Sequence, residues 1–152
     1  MNLRNDMLAY IDSNVFIFAA ISYEGIGMDS RRLLDAIVRG RVRAITSTLT
    51  FDEVFYKVKK DKGMDFALLL SENLISMPNL EFVSVGAGTI TDALGLIRAF
   101  NLEPRDAIHA AVAVSGKADL LVSEDRVYSR LERPKIATVN KALLEIKDVE
   151  NR

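Results

Sequence analysis

Two hydrophobic rhythms alternate along the chain. Short segments that are apolar at consecutive positions, YIDSNVFI (10–17), DLLVSE (119–124) and KIATV (135–139), have the pattern of strands buried on both faces. RVRAITS (41–47) and LEFVSV (80–85) add two more strand-like runs. Between them the apolar residues fall at helical spacing, in SRRLLDAIVRG (30–40), TFDEVFYKVKK (50–60), DFALLLSENLIS (65–76), TITDALGLIRAF (89–100), PRDAIHAAVAVSGK (104–117) and NKALLEIKDV (140–149). Strands separated by helices need crossover connections, and crossovers set neighbouring strands parallel. The pattern therefore predicts an α/β fold, a three-layer α/β/α sandwich with a mainly parallel central sheet of about five strands. Residues 1–152 suit a single domain with one core. The Gly-containing YEGIGMD (23–29) is expected to be a mobile loop after the first strand, and the final DVENR to fray.

One residue breaks the first strand's pattern. Asp12 stands inside an apolar, β-branched run, where an unpaired carboxylate is costly to bury. Sites in open α/β sheets form at the carboxyl ends of the strands. Asp12 falls at such an end, with Ser13 and Asn14 behind it as turn formers. Asp125 follows the strand DLLVS, Glu53 falls in the first turn of the helix after RVRAITS, and Asp106 opens a helix at Pro104. Regular crossovers bring all four acids to one edge of the sheet. Glu24, Asp29, Asp52, Glu103 and Glu124 are close enough in sequence to substitute in part.

Each acid alone has a plainer explanation. Asp12 fits an Asx-turn. Thr50 to Glu53, TFDE, reads as a capping box, and Glu53 also has Lys57 one turn on. Phe51, Val54, Phe55 and Val58 share a helical face that points away from Glu53, Lys57 and Lys60. Asp106 complements a helix dipole, and Asp125 fits the cap of a short helix holding Val127 and Leu131. Taken together the acids are harder to explain, because Ser, Thr or Asn caps a helix without electrostatic cost. Four carboxylates on one edge repel one another unless a hard cation relieves them. Oxygen-only ligation suits Mg²⁺ or Mn²⁺, which activate water and neutralise a phosphodiester.

Composition narrows the field. With no cysteine there is no thiol nucleophile, disulfide or thiolate metal site, in keeping with a reducing cytoplasm. A single histidine excludes a His-rich zinc centre, and His109 on its Ala-rich helix reads as a hydrogen-bonded core residue. A net charge of −1 gives no whole-molecule attraction to nucleic acid or membrane, so any basic surface is local. No apolar run is long enough to span a bilayer. The opening MNLRNDM, polar and carrying Asp6, is unlike a signal peptide.

As an ordered set, the segments YIDSNVFI, STLTFDEV, LEPRDAIHAAVA and LLVSEDRVYSRL resemble the PIN-domain ribonucleases, and among these the toxin components of VapBC-type toxin–antitoxin modules. The resemblance extends over nearly the whole chain. It implies that Asp12, Glu53 and Asp106 are the principal metal-binding acids, with Asp125 the fourth, supported by Ser123, and that Ser13 orients the site. It implies cleavage of RNA with Mg²⁺ or Mn²⁺ to leave 5′-phosphate and 3′-hydroxyl ends, a homodimer, and inhibition by a small antitoxin. The acidic–aromatic pair that many relatives carry after the fourth acid is here Val127 and Tyr128, so the acid is missing. Glu124 competes with Asp125 for the fourth position.

An acid-lined site for RNA needs cations on its approach. Lys57 and Lys60 share the polar face of Glu53, and Arg105 and Arg126 each adjoin a candidate acid. Arg39, Arg41 and Arg43 flank the second strand, and Tyr56 or Tyr128 offers a surface on which a base can stack. Phe66, Leu69, Leu70 and Leu74 are read mainly as core, with a dimer or antitoxin face as the other use. Other α/β families fit less well. A receiver domain wants an acidic pair, a haloacid-type hydrolase wants Asp-x-Asp where Asn14 stands, and a Walker A loop is absent. A catalytically incompetent PIN-like module that binds RNA or protein, and a housekeeping RNA-processing nuclease, stay open.

Overall fold

A computed structural model describes residues 7–151. The opening segment read as unlike a signal peptide lies outside them, Met7 excepted. Five strands, β1 (Leu8–Ile11), β2 (Arg43–Ser47), β3 (Leu80–Val83), β4 (Leu120–Val122) and β5 (Lys135–Ala137), form one sheet in the order β3-β2-β1-β4-β5. Every pairing is parallel. The chain lays strands outward from β1 on one side, then crosses to place β4 and β5 on the other. The topological switch point is thus the β1–β4 pair, where Ile11 is level with Val122.

Alternation along the strands produces two cores. Ala9, Ile11, Ala44, Leu120 and Val122 face one layer, and Tyr10, Ile45 and Leu121 face the other. The first layer is built by α1 (Ser13–Ile21), α2 (Gly25–Val38), α3 (Leu49–Lys62), α4 (Met64–Ile75) and α7 (Val139–Glu150), through residues such as Phe16, Leu33, Ile37, Val58 and Ile146. The second is built by α5 (Ala87–Phe100), α6 (Pro104–Ser115) and the short 3₁₀ turn 126–128. Ala107, Ala110, Ala111 and Ala113 let α6 lie close against the sheet. The three-layer α/β/α architecture is the one the hydrophobic pattern predicts.

Several local expectations give way. YIDSNVFI is not one strand: β1 ends at Ile11, and Asp12 caps α1, its Oδ1 accepting from Ser13 N at 2.8 Å. The β-branched run continues as a helix because α1 is packed by the sheet, α2 and α3, and so needs apolar residues on most of its circumference. YEGIGMD is not a mobile loop, since α2 begins at Gly25 and only residues 22–24 separate the two helices. α7 runs on to Glu150, through most of the stretch expected to fray. α3 begins at Leu49, so TFDE is not a capping box. Thr50 Oγ1 meets Thr46 Oγ1 at 2.6 Å instead, and Thr46 donates onward to the Ile11 carbonyl at 2.8 Å. With Thr46's hydrogen so used, Thr50 is the donor between them.

The face of α3 is also rotated from the one expected. Thr50, Val54 and Val58 are buried, whereas Phe51 is 53% exposed. Phe66, Leu68, Leu69 and Ile75 of α4 lie exposed as well, and only Ala67 and Leu74 are fully buried. Half of the expected stripe, Phe66 and Leu69, is therefore not core, while Leu74 is buried in the core and Leu70 packs against it. An apolar groove of about 460 Å³ runs between the two helices, lined by Phe51, Phe55, Leu68, Leu74, Ile75 and Phe82 among others.

Candidate active site

The switch point places the two central strand ends side by side, and a polar network joins them. Asp12, 5% exposed, follows β1, and Ser123 follows β4. Asp12 N donates to the Val122 carbonyl at 3.0 Å, continuing the strand pairing into the site. Ser123 Oγ donates to Asp12 Oδ2 at 2.6 Å. The same oxygen accepts from Asn14 Nδ2 and from Asp125 N, each at 3.0 Å. Ser13 Oγ lies 3.5 Å from Asp12 Oδ1, a weak contact beside the firm one from its backbone. Asn14, read from sequence only as a turn former, is thus a structural partner of Ser123. Its signal was its place two residues after the buried acid.

The other acids approach from the helices. Asp106 lies in the first turn of α6, with Pro104 at the helix start as expected. Its carboxyl is pushed up to about 6, by burial first and then by the charges of Asp125 and Asp12. Burial also raises Asp12, against the opposing pull of His109 and the Ser123 hydroxyl. Glu53, in α3, meets His109 Nε2 of α6, and Asp12 Oδ1 lies 3.6 Å from the same nitrogen. His109 is buried and hydrogen-bonded, as its Ala-rich helix suggested, to the core residue Tyr10 through Nδ1 and to the candidate acid Glu53 through Nε2. Burial works against charge on this imidazole, yet Glu53 and Asp12 raise it overall.

The fourth position separates its two contenders. Glu124 Oε1 accepts from Val139 N at 2.8 Å and so serves the start of α7. Asp125 is the acid that Asp106 feels. Its Oδ1 also accepts from Val127 N at 3.2 Å, so the expected capping of the short helix is present too. Tyr128 is wholly buried and cannot stack on a base. Its hydroxyl has no hydrogen-bond partner among the described residues, and burial together with Asp12 and Asp106 pushes it far upward. Val127 is partly exposed.

The donor set suits a hard cation. Among the described residues no Lys or Arg comes within 4.0 Å of Asp12, Glu53, Asp106 or Asp125, so His109 alone offers positive charge at that distance. The half-buried Asp106, raised to about 6 by burial first and by Asp125 and Asp12 after it, is in keeping with uncompensated negative charge here. Among the described residues no three such groups form a ready-made cage; Glu53 is paired with His109, and Asp125 accepts from Val127 N. The chemistry of the oxygens fits Mg²⁺ or Mn²⁺, with Asp12, Asp106 and Asp125 the residues able to converge.

A pH dependence follows for the metal-free protein. Asp106 takes up its proton near pH 6 when folded but near its ordinary value, 3.8, when unfolded. Between those values the folded state binds more protons, so the contribution of Asp106 to stability falls as pH rises from about 4 to 6. Urea unfolding in EDTA across that range is expected to show the decline, and Asp106→Asn to flatten it. Equal slopes for the two proteins would contradict the assignment.

Beside Glu53 opens a cleft of about 530 Å³ lined by Ile17, Asp52, Glu53, Tyr56, Lys57 and Arg105. Tyr56 is exposed, and Lys57 and Arg105 stand at the same cleft as the acid. Lys60 and Arg126 are exposed but do not line it. No described helix is long and apolar enough to cross a membrane.

Comparison with known proteins gives the same picture. No curated protein sequence matches the chain. Among solved structures, a chain of VapBC2 from Rickettsia felis, bound to a DNA fragment from its promoter, superposes with a TM-score of 0.69 at 16% identity, covering 87% of this chain and 98% of that one. VapC20 of Mycobacterium tuberculosis, a Sarcin–Ricin loop cleaving toxin, gives 0.67 at 15%, covering 82% and 95%. PAE2754 from Pyrobaculum aerophilum gives 0.65 at 16%, covering 93% and 96%. At these identities the likeness is one of fold. The model of the PIN domain matches residues 9–134, from β1 to the start of β5, taking in all four acids. The chain therefore belongs to the PIN-domain family.

Proposed function

We propose that this protein is a metal-dependent ribonuclease, the toxin of a toxin–antitoxin pair. The observation that carries the reading is the grouping of acids: Asp12 and Glu53 meet the same His109 nitrogen, and Asp106, raised first by burial, also feels Asp125 and Asp12, with no Lys or Arg within 4.0 Å of them among the described residues. Bound there, Mg²⁺ or Mn²⁺ supplies a water nucleophile at neutral pH and charge neutralisation at the phosphate. Asp12, Asp106 and Asp125 hold the ion, and Glu53 contributes directly or through water. Ser123 and the Ser13 backbone N–H orient Asp12, so that one carboxylate is aimed before any ligand arrives. Lys57 and Arg105 draw the phosphate backbone into the cleft beside Glu53, and exposed Tyr56 offers a base a stacking surface. Lys60 and Arg126 extend the basic approach at its margins.

The rival is a PIN-like module without catalysis. On its side stand the capping role of Asp125 and the pairing of Glu53 with His109. Cleavage of RNA that EDTA abolishes and Mn²⁺ restores separates the two, and a metal-indifferent or absent activity would favour the module. For the cleft, Lys57→Glu with Arg105→Glu is expected to weaken RNA binding and to lower the slope of log affinity against log salt by about 2. An unchanged slope would remove these residues from the RNA path.

The toxin role rests on the neighbours, which are VapBC proteins and a cleaving toxin. A small antitoxin is the expected partner, and the exposed α3–α4 groove is an apolar surface suited to a protein contact, with a homodimer the other use. A short open reading frame beside the gene, encoding a DNA-binding segment, would support the toxin role over RNA processing. The reading places the protein in the cytoplasm with its RNA.

A further inference from the structure

We propose that His109 is a positioning residue, the middle of a hydrogen-bonded line that runs from the Ser47 backbone through Tyr10 and His109 to Glu53. This rests on the acid-site reading above and specifies how one of its acids is held. Ser47 N–H donates to the Tyr10 hydroxyl at 3.2 Å. That hydroxyl lies 2.5 Å from His109 Nδ1, and His109 Nε2 meets Glu53 Oε1. The line takes the neutral tautomer, in which the Tyr10 oxygen accepts the backbone N–H and its own hydrogen goes to Nδ1. An Nδ1 that accepts leaves the ring hydrogen on Nε2, aimed at Glu53 and, at 3.6 Å, past Asp12 Oδ1.

The line runs through four elements: β2 supplies Ser47, β1 Tyr10, α6 His109 and α3 Glu53. Both rings are fully buried and packed edge to face, 5.8 Å between centroids, so neither is free to turn. Glu53 has its hydrogen bond from His109 and sits only half-buried at the mouth of the cleft. Without the imidazole, a glutamate just past the first turn of α3 and next to Asp12 would swing toward water, away from a second negative charge. The Nε2–H between the two carboxylates both anchors Glu53 and reduces that repulsion. Partners that orient a metal ligand in this way typically change metal affinity when removed.

The test uses the purified chain with Mn²⁺ alone as probe. Calorimetric titration is expected to show His109→Leu binding Mn²⁺ about 10- to 100-fold more weakly than the parent. His109→Gln, which keeps an N–H near the position of Nε2, is expected to recover most of the loss. Tyr10→Phe, which removes the hydrogen bond that orients the ring, is expected to fall between. A purely structural role predicts something else: lower melting temperatures with Mn²⁺ affinity unmoved, and no advantage of Gln over Leu. Should His109→Leu fail to fold, Tyr10→Phe decides, and wild-type Mn²⁺ affinity in that variant overturns the proposal. Asp106→Asn tells the two levels apart. If it also keeps full Mn²⁺ binding, the acid-site reading fails and the line with it. If it loses binding while Tyr10→Phe and His109→Leu keep theirs, the line alone is wrong.

Discussion

Asp12→Asn is expected to lower Mn²⁺-dependent RNA cleavage on the order of 10³-fold while leaving a folded protein. The two halves of this expectation have different causes. The loss of activity comes from removing one unit of negative charge from the most buried of the four acids, the one that lies at the switch point and that both Ser13 and Ser123 orient. An amide can occupy the same space but is a poor ligand for a hard cation. The persistence of the fold comes from compensation. Burial penalises the Asp12 carboxylate, so neutralising it relieves a cost. Against this, Ser13 N and Ser123 Oγ both donate to Asp12, and an asparagine can accept from only one of them. The lost bond costs about 1 kcal/mol, comparable to the relief. Initial rates at saturating Mn²⁺, beside thermal melts in EDTA, measure both. Full activity in the folded variant would end the assignment of Asp12. A loss of activity that merely tracks unfolding would show that its role is structural.

The largest loss of stability from a single methyl group is expected at Gly27. A Cβ built there lies 2.1 Å from the carbonyl oxygen of Ser22, which belongs to the connection between α1 and α2. The obstacle is backbone, so no rotamer change relieves it. Either α2 moves away from α1 or the connection is rebuilt. Gly27→Ala is expected to cost about 3 kcal/mol, as severe overpacking does. In a chain of this length that lowers the melting temperature by roughly 6–12 °C. Gly25, two residues earlier at the helix start, has nothing within 4 Å of its Cβ direction. Gly25→Ala is expected to be neutral or to stabilise by up to about 1 kcal/mol, through the higher helix propensity of alanine. Paired denaturation curves check the contrast in sign. Equal effects at the two glycines would mean that the α1–α2 contact is soft. Because α1 begins directly after Asp12, the Gly27 variant is also expected to reduce cleavage, and Gly25→Ala is not.

What the sequence determined by itself was the architecture. Runs such as LLV in β4 are apolar at every position because helices cover both faces of the sheet, and that requirement is visible without coordinates. Candidate acids could be picked out because a carboxylate in an apolar run, or early in a helix, is expected near a strand's carboxyl end when crossovers are regular. The tertiary structure decided what local pattern leaves ambiguous. Residues 13–17 are apolar and β-branched in part, suited equally to a strand or to a buried helix, and the Asp12 cap together with packing against α2 and α3 selected the helix. Thr50–Glu53 matches a capping motif, but Thr46 took Thr50 into the link between β2 and β1, and Glu53 was left to His109. Glu124 and Asp125 are adjacent and chemically alike. The position of Val139 N, contributed by a strand-and-turn connection fifteen residues on, separated their roles. Periodicity records how much of each residue is buried and on which face; it carries no information about which distant polar group it will meet. Hydrogen-bond partners across elements depend on where the other elements come to rest, and only the folded chain supplies that.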